Sequence, residues 1–330
     1  MPVERGKGER RRITILDEEH HRVPYSKGLT ANAIMASGLS PGAAYNVAAY
    51  IEDYLIREKR LEVRAEELRE LIFQVLRDRE GEHYAVNYLR YISISRLNKP
   101  LVILIGGSTG VGKSTISTML ANRLSIVRIV STDAIREVMR AFFSANLMPT
   151  IHTSSFDADT ALIHPLPSHV DPVVAGFREQ TLYVLVGVRA IINRALKEGT
   201  HIIIEGAHIV PGFIAPEQFP DAFIIPLVIT VEDEKLHRSH FYIREVETQG
   251  TRPFQRYVAH FENIRKIQDY IVRLARDTGV KIVDSVDLDT TVARIVDYII
   301  NTAYEMAGGA GKEMETGHME FLEVKDGGGG

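Results

Sequence analysis

The sequence predicts an α/β protein: a mostly parallel five-stranded sheet flanked by helices, preceded by a small, mostly helical module. Three observations carry this. After residue 100, apolar runs of strand length alternate with longer runs of helical periodicity, the pattern of a parallel sheet covered on both faces. Before residue 100, nothing alternates strictly over a long stretch, and apolar residues recur at helical spacing. The chain has 330 residues, 45% hydrophobic and 25% charged. That is enough for two domains, and it excludes a wholly disordered or fibrous protein.

Residues 1–12 carry Arg5, Lys7, Arg10, Arg11 and Arg12 with no apolar run behind them, so they read as a disordered basic arm and not a secretory signal. Residues 13–96 read as a short strand or two followed by helices. Ser40-Pro41 is a helix cap with proline at the first helical position, and Val47, Ala48, Ile51, Tyr54 and Leu55 follow at helical spacing. A second amphipathic run carries Leu68, Leu71, Ile72 and Val75, and a third covers about residues 83–95.

The larger domain spans residues 97–306. Its expected strands, 101–105, 128–132, 201–205, 224–231 and 280–284, are nearly continuous in aliphatic and β-branched residues. Helices are expected at 113–124, 173–197, 254–276 and 289–305. Ligands of such sheets bind beyond the carboxyl ends of the strands. Residues 307–330, rich in glycine and ending in four of them, read as a flexible tail.

Composition removes several functions. Without cysteine there is no disulfide, thiolate nucleophile or cysteine–zinc site. A net charge of −4 gives no global field for nucleic acid. No apolar run reaches the roughly 18–20 residues of a membrane span, so a cytoplasmic chain with no membrane partner is expected.

Gly107, Ser108, Thr109, Gly110, Val111, Gly112, Lys113 and Ser114 fit the phosphate-loop pattern without a mismatch. Chance should produce it about once in a hundred chains of this length. It follows an apolar strand and opens an amphipathic helix, as that motif requires. Glycines let successive N–H groups converge on a β-phosphate, and the helix N-terminus adds its dipole. Lys113 would reach the β- and γ-oxygens, while the Ser114 hydroxyl would ligate Mg²⁺. The competing reading is a glycine-rich turn without a ligand.

Asp133 and Arg136 follow the second strand at a spacing of three, which puts both on one helical face. The carboxylate could orient or deprotonate an acceptor hydroxyl, and the guanidinium could hold an anionic acceptor. A capping aspartate with a surface arginine is the plainer alternative. Glu205 ends the third strand and is placed to support the metal, with a structural cap as its competitor; Gly206 lets the chain turn there. His208 is kept as a substrate contact, against the commoner role of a hydrogen-bonding scaffold. The long polar segment 150–172, with Ser154 and Ser155, is where acceptor selection is expected. Its His152, His164 and His169 lack a compact metal-ligand spacing.

At these residues the chain resembles a known family. Residues 13–96 resemble an ATP-cone, with Val23-Pro-Tyr-Ser-Lys27-Gly-Leu matching its opening and residues 37–51 its helical middle. The remainder resembles the archaeal 2-phosphoglycerate kinases, P-loop kinases that follow such a cone. The specific pieces are residues 106–115, through Thr115, then 131–140, 153–156 and 204–208; the match covers about 13–304. The resemblance implies a sheet of order 2-3-1-4-5 and ATP with Mg²⁺ or another divalent cation. It implies transfer of the γ-phosphoryl to the 3-hydroxyl of 2-phosphoglycerate, giving 2,3-diphosphoglycerate on the way to its cyclic form. After the fourth strand it implies a mobile lid whose arginines neutralise the transferred group. Arg238 and Arg244, with Arg252 and Arg256, are the candidates, each with a solvated surface arginine as its competing reading, and Gly250 is a hinge. A mevalonate 3-phosphate 5-kinase resembles the same family, so a phosphorylated small acid with a free hydroxyl is the broader acceptor class. An ATP-sensing regulator and a nucleic-acid end kinase are the competing classes, the latter opposed by the lack of a basic stripe. A homo-oligomer is compatible with the sequence.

Overall fold

A computed structural model of the chain describes residues 13–17, 19–95, 99–247, 249, 251 and 253–308. The expected arm, the tail beyond Gly308, Gly250 and Arg252 lie outside the described residues. The chain divides into two compact units, one reaching Ile94 and joined by Arg123–Ser125, the other holding the rest from Ser95 to Gly308.

In the first unit, β1 (Thr14–Leu16) pairs antiparallel with β2 (Arg22–Pro24), and four helices follow: α1 (Lys27–Met35), α2 (Pro41–Arg57), α3 (Ala65–Arg79) and α4 (Glu82–Ser95). Between α2 and α3, β3 (Glu62–Arg64) pairs parallel with β1. The sequence reading missed β3, because three residues with one buried side chain, Val63, carry almost no periodicity. The Ser40 hydroxyl accepts from the Ala43 amide and Pro41 stands at the first helical position. Ala44, Val47, Ala48, Ile51 and Leu55 then form the buried stripe of α2 and enter one core with Ile34, Ile72 and Leu76. Lys27 pairs with Glu52 at 2.6 Å.

The second unit is built on five strands: β4 (Leu101–Gly106), β5 (Ile129–Ser131), β6 (Ile202–Glu205), β7 (Phe223–Thr230) and β8 (Lys281–Asp284). Their order is β5-β6-β4-β7-β8 and every pairing is parallel. In sequence rank this is 2-3-1-4-5. Its helices are α5 (Lys113–Arg123), α6 (Thr132–Phe142), α7 (Pro172–Glu198), α8 (Glu234–Glu247), α9 (Phe254–Ala259), α10 (Phe261–Asp277) and α11 (Leu288–Met306). Among the described residues no helix is long and apolar enough to cross a membrane.

The long helix α7 shows how local signals set an element. The Asp171 carboxylate accepts from the Val173 and Val174 amides, Pro172 opens the helix, and Gly199 ends it at φ 60°. Val184, Leu185, Val188 and Ile192 are fully buried in one core with Val102, Leu104, Ile202 and Ile204 of the sheet. Each such side chain contributes about 1.5–3 kcal/mol, and Leu185→Ala would cost about 2–5 kcal/mol through the cavity it leaves.

The helix expected over 254–276 is two helices, broken at His260. There φ −109° and ψ 16° leave helical geometry, and the imidazole is held 3.0 Å from Asp157 Oδ1. A tertiary contact overrides a continuous apolar period. The segment 150–172 is a packed element in its first half. Short 3₁₀ turns at Pro149–His152 and Ala158–Ala161 bury Thr150, Ile151, Phe156 and Ala158.

Candidate active site

β4 runs from its buried apolar residues into the glycine loop, and α5 opens at Lys113. The Lys113 side chain is buried, and its ammonium donates to the Ser108 carbonyl at 2.7 Å. Burial pushes that ammonium below the ordinary lysine value, while the charges of Glu205 and Asp133 hold it up. The Ser108 hydroxyl donates to Gln268 Oε1 of α10 at 3.2 Å, and Val111 is fully buried. These two residues can therefore offer a ligand only backbone. Ser114 and Thr115 are exposed.

Glu205 closes β6 opposite Ile105 of β4 and Ser131 of β5. The three carboxyl ends thus bring the loop, Glu205 and the start of α6 to one edge of the sheet. There the Ser114 hydroxyl donates to Glu205 Oε1 at 2.9 Å. Among the described residues no three His, Asp or Glu side chains gather to hold a metal by themselves. The Ser114–Glu205 pair supplies the oxygen donors a hard divalent cation takes, which fits a cation completed by phosphate oxygens and water.

The Ser131 hydroxyl, accepting from the Ala134 amide at 3.1 Å, is the cap of α6. Asp133 is therefore not the cap. It sits in the first turn with its side chain 68% exposed, and Arg136 Nε lies 3.6 Å from its Oδ1. The shared face expected from the spacing is present, and the Asp133 carboxylate acts electrostatically on both Lys113 and His208. Arg136 differs from the expectation of an open anion clamp. Its side chain is only 13% exposed, and Nη1 donates to the carbonyls of Ile151, at 3.2 Å, and Thr153. It braces the 3₁₀ turn that leads into Ser154 and Ser155.

His208 corrects the sequence reading more sharply. Its ring is fully buried, with Nδ1 2.9 Å from the Thr132 hydroxyl and Nε2 2.8 Å from Gln180 Oε1. Gln180 uses its amide nitrogen on the carbonyls of Thr150 and, at 3.2 Å, Thr153. Its oxygen must then accept, which puts the His208 proton on Nε2 and leaves Nδ1 to accept from Thr132. Burial pushes the imidazole down to about 4, with Asp133 opposing and the charges of Arg136 and Lys113 adding to the fall. Both nitrogens are engaged, so in this structure His208 is a strut between α6, α7 and the 150s turn and not a substrate contact. Gly206 makes room for it. Its φ is 151°, and any β-carbon there would run into the Thr132 hydroxyl.

Ser154 accepts from Arg256 Nη2 at 2.8 Å, and Arg256 also lies 3.6 Å from Asp157. Arg238 is exposed with its guanidinium 3.9 Å above the Phe261 ring, and Arg244 lies 5.8 Å from the Tyr257 ring. The structure thus brings Lys113, Ser114, Glu205, Asp133, Arg136 and the turn before Ser154 and Ser155 to one edge, and stacks Arg238 and Arg244 on aromatic rings. Sequence reasoning missed Thr132, Gln180 and Gln268. Gln180 did carry a signal. Together with Thr181 it interrupts the apolar stripe of α7, Val173, Phe177, Val184, Leu185 and Val188, and a buried amide in such a stripe needs a polar partner.

Comparison with known proteins gives the family. Residues 87–159 match the Zeta toxin family. A 2-phosphoglycerate kinase of Methanothermobacter thermautotrophicus is 40% identical over 279 residues, covering 84% of this chain and 91% of that one. Its counterpart in Thermococcus kodakarensis is 38% identical over 295 residues, covering 89% and 99%. That of Methanopyrus kandleri is 37% identical over 294 residues, covering 88% of each. With likeness of this extent, and a phosphate loop, carboxylate and acid–guanidinium pair at one sheet edge, the chain belongs to the 2-phosphoglycerate kinase family of phosphotransferases.

Proposed function

We propose that the chain transfers the γ-phosphoryl group of ATP to the 3-hydroxyl of 2-phosphoglycerate, giving 2,3-diphosphoglycerate and ADP. The observation that carries this is the surrounding of Lys113. Its buried ammonium lies at the loop, under the charges of both Glu205 and Asp133. The loop amides of residues 107–113 would cradle the β-phosphate, and Lys113 would move from the Ser108 carbonyl to the β- and γ-oxygens. Ser114 would ligate Mg²⁺ and Glu205 would support it; once bound, the cation neutralises charge on the β- and γ-phosphates.

The acceptor hydroxyl forms the new O–P bond as the bond from the γ-phosphorus to the bridging oxygen breaks and ADP leaves. Asp133 orients that hydroxyl and takes its proton, which its exposure lets it pass to water. Arg136 holds the 150s turn and faces the acceptor's anionic end, where Ser154, Ser155 and Arg256 would also bind. Arg238 and Arg244, each over an aromatic ring of the neighbouring helices, would neutralise the transferring group. A cytoplasmic setting suits both substrates. We read residues 13–96 as an ATP-cone-like domain in which Lys27 is paired with Glu52.

The test is ADP release from the full chain with ATP, Mg²⁺ and a panel of phosphorylated hydroxy acids. Release dependent on 2-phosphoglycerate is expected. Release with mevalonate 3-phosphate alone would reassign the acceptor, and ATP binding without any acceptor-dependent release would replace catalysis by sensing.

A further inference from the structure

The tip of the glycine loop is interlocked with the helix that follows β7. α8 sets His237, His240 and Phe241, three residues of one helical face, against Thr109 and Gly110. His237 Nε2 lies 2.8 Å from the Thr109 carbonyl, and His240 Nδ1 lies 2.9 Å from the Gly110 carbonyl. A carbonyl oxygen can only accept, so both ring nitrogens carry protons, Nε2 on one residue and Nδ1 on the other. Phe241 is fully buried and fills the space a side chain at Gly110 would need, where φ is 88°. Its ring stacks on Tyr257 at 4.9 Å, and His237 stacks on Phe241 at 5.3 Å and meets Phe261 edge-on at 5.4 Å. The contact is anchored from behind by α9 and α10.

His237 also bears a cost. Its side chain is fully buried and Nδ1 has no hydrogen-bond partner. An unpaired buried nitrogen is unfavourable, and a hydrophobic side chain would avoid it. What a hydrophobic side chain could not do is donate to Thr109. Burial also pushes this imidazole down to about 4, so it stays neutral and its remaining proton is committed to the loop.

We propose that His237 and His240 are positioning residues for the nucleotide, each acting through one particular ring nitrogen to set the curvature of Thr109–Gly110. The amides of that turn must converge on one phosphate, and a turn held from outside by two donated hydrogen bonds converges before the ligand arrives. The same two bonds tie the position of α8, which carries Arg238 and Arg244, to the loop. This rests on the loop's holding ATP, as proposed above.

The two nitrogens make the proposal separable from packing. A glutamine amide nitrogen reaches about as far along the side chain as His Nε2, and an asparagine amide nitrogen about as far as His Nδ1. ATP affinity is measured on the full chain by equilibrium dialysis, beside KM for 2-phosphoglycerate and the melting temperature. His237→Ala and His240→Ala should each weaken ATP binding about tenfold, the scale of one lost hydrogen bond, with acceptor KM within about twofold. At position 237, His237→Gln should restore ATP affinity and His237→Asn should not. At position 240 the order should reverse, His240→Asn restoring and His240→Gln failing. Loss of the ring lowers stability in both amides alike, so packing cannot produce opposite orders. His240 is half-buried, so its pair of variants still decides the matter should a His237 variant not fold. The same order at both positions, or wild-type ATP affinity in both alanine variants, would overturn the proposal. A wild-type chain that does not bind ATP would instead sink the proposed function, and this inference with it.

Discussion

The two sides of the sheet's carboxyl edge are assembled by different means. On the loop side the defining contact is local. Lys113 reaches back five residues to the Ser108 carbonyl, and the strand, loop and helix that shape the site are consecutive. On the acceptor side, apart from the Asp133–Arg136 pair within α6, the contacts are long-range. Thr132 meets His208 across 76 residues, His208 meets Gln180 across 28, and Gln180 meets Thr153 across 27. A local site is set first by backbone conformation, with His237 and His240 of α8 holding its tip from outside. A long-range one exists only while several elements hold register, so substitutions in the middle of α7 should reach the acceptor and leave the nucleotide alone.

The strongest way to break this comparison is to remove one charged group from each side. Lys113→Ala should lower turnover by roughly a thousandfold or more, because an electrostatic contact to the transferring group is lost. Its melting temperature should stay close to wild type, since the ammonium hydrogen-bonds to the loop itself. Asp133→Asn should lower kcat by roughly a hundredfold, the scale of general-base catalysis, with ATP affinity unchanged. Steady-state kinetics beside a nucleotide-binding measurement separates the two. Unaltered turnover in Lys113→Ala would remove the loop from catalysis, and equal losses of kcat and ATP affinity in Asp133→Asn would make Asp133 a nucleotide or metal residue.

The same division explains what the sequence alone makes legible. The glycine loop is legible because eight consecutive residues carry it. The Asp133–Arg136 face is legible because helical spacing is local, and Glu205 because it ends an apolar run. The five strands were likewise within reach, each being a nearly unbroken apolar run, whereas their order follows from the family resemblance. His208 was misjudged because nothing near it in the chain names Gln180 as its partner. The break at His260 was invisible for the same reason, since its cause, Asp157, is 103 residues away. The bracing role of Arg136 is not legible because its two carbonyl acceptors belong to a segment whose 3₁₀ turns carry no periodic signal.

Acid sharpens the comparison next, because the long-range side holds a buried imidazole. His208 takes its proton near 6.5 when unfolded and only near 4 in the folded chain. The stability this contributes is complete above about pH 6.5 and is lost as pH falls toward 4. At pH 5 the loss from this one group is about 2 kcal/mol. His237, also near 4, adds to it in the same direction. Melting temperature should therefore fall between pH 7.5 and pH 5. His208→Gln should start lower at pH 7.5, because Thr132 loses its acceptor, and then fall less steeply. Equal slopes in the two proteins would mean that His208 is not held neutral by the fold.

The smallest effect asks most of the long-range argument. Gln180→Leu keeps the bulk of the side chain in α7 but leaves His208 Nε2–H without an acceptor and the Thr150 and Thr153 carbonyls without their amide donor. The imidazole N–H left unpaired should cost about 1–3 kcal/mol of stability, while the Thr150 carbonyl still accepts from Thr153 and the Thr153 carbonyl from Arg136. A purely structural loss would stop there. If Gln180 positions the turn before Ser154 and Ser155, KM for the phosphorylated acceptor should also rise about fivefold, a free-energy change of about 1 kcal/mol, while KM for ATP stays at its wild-type value. Arg136 still braces Thr153 from the other side, which is why the shift should be modest and not a loss of binding. Gln180→Glu tests the geometry more finely. Its carboxylate can still accept from His208 but cannot donate to either carbonyl, so it should rescue the imidazole's hydrogen bond without rescuing acceptor KM. A variant that restored both, or one that raised both KM values together, would place Gln180 in the general packing of α7 and detach the 150s turn from acceptor binding.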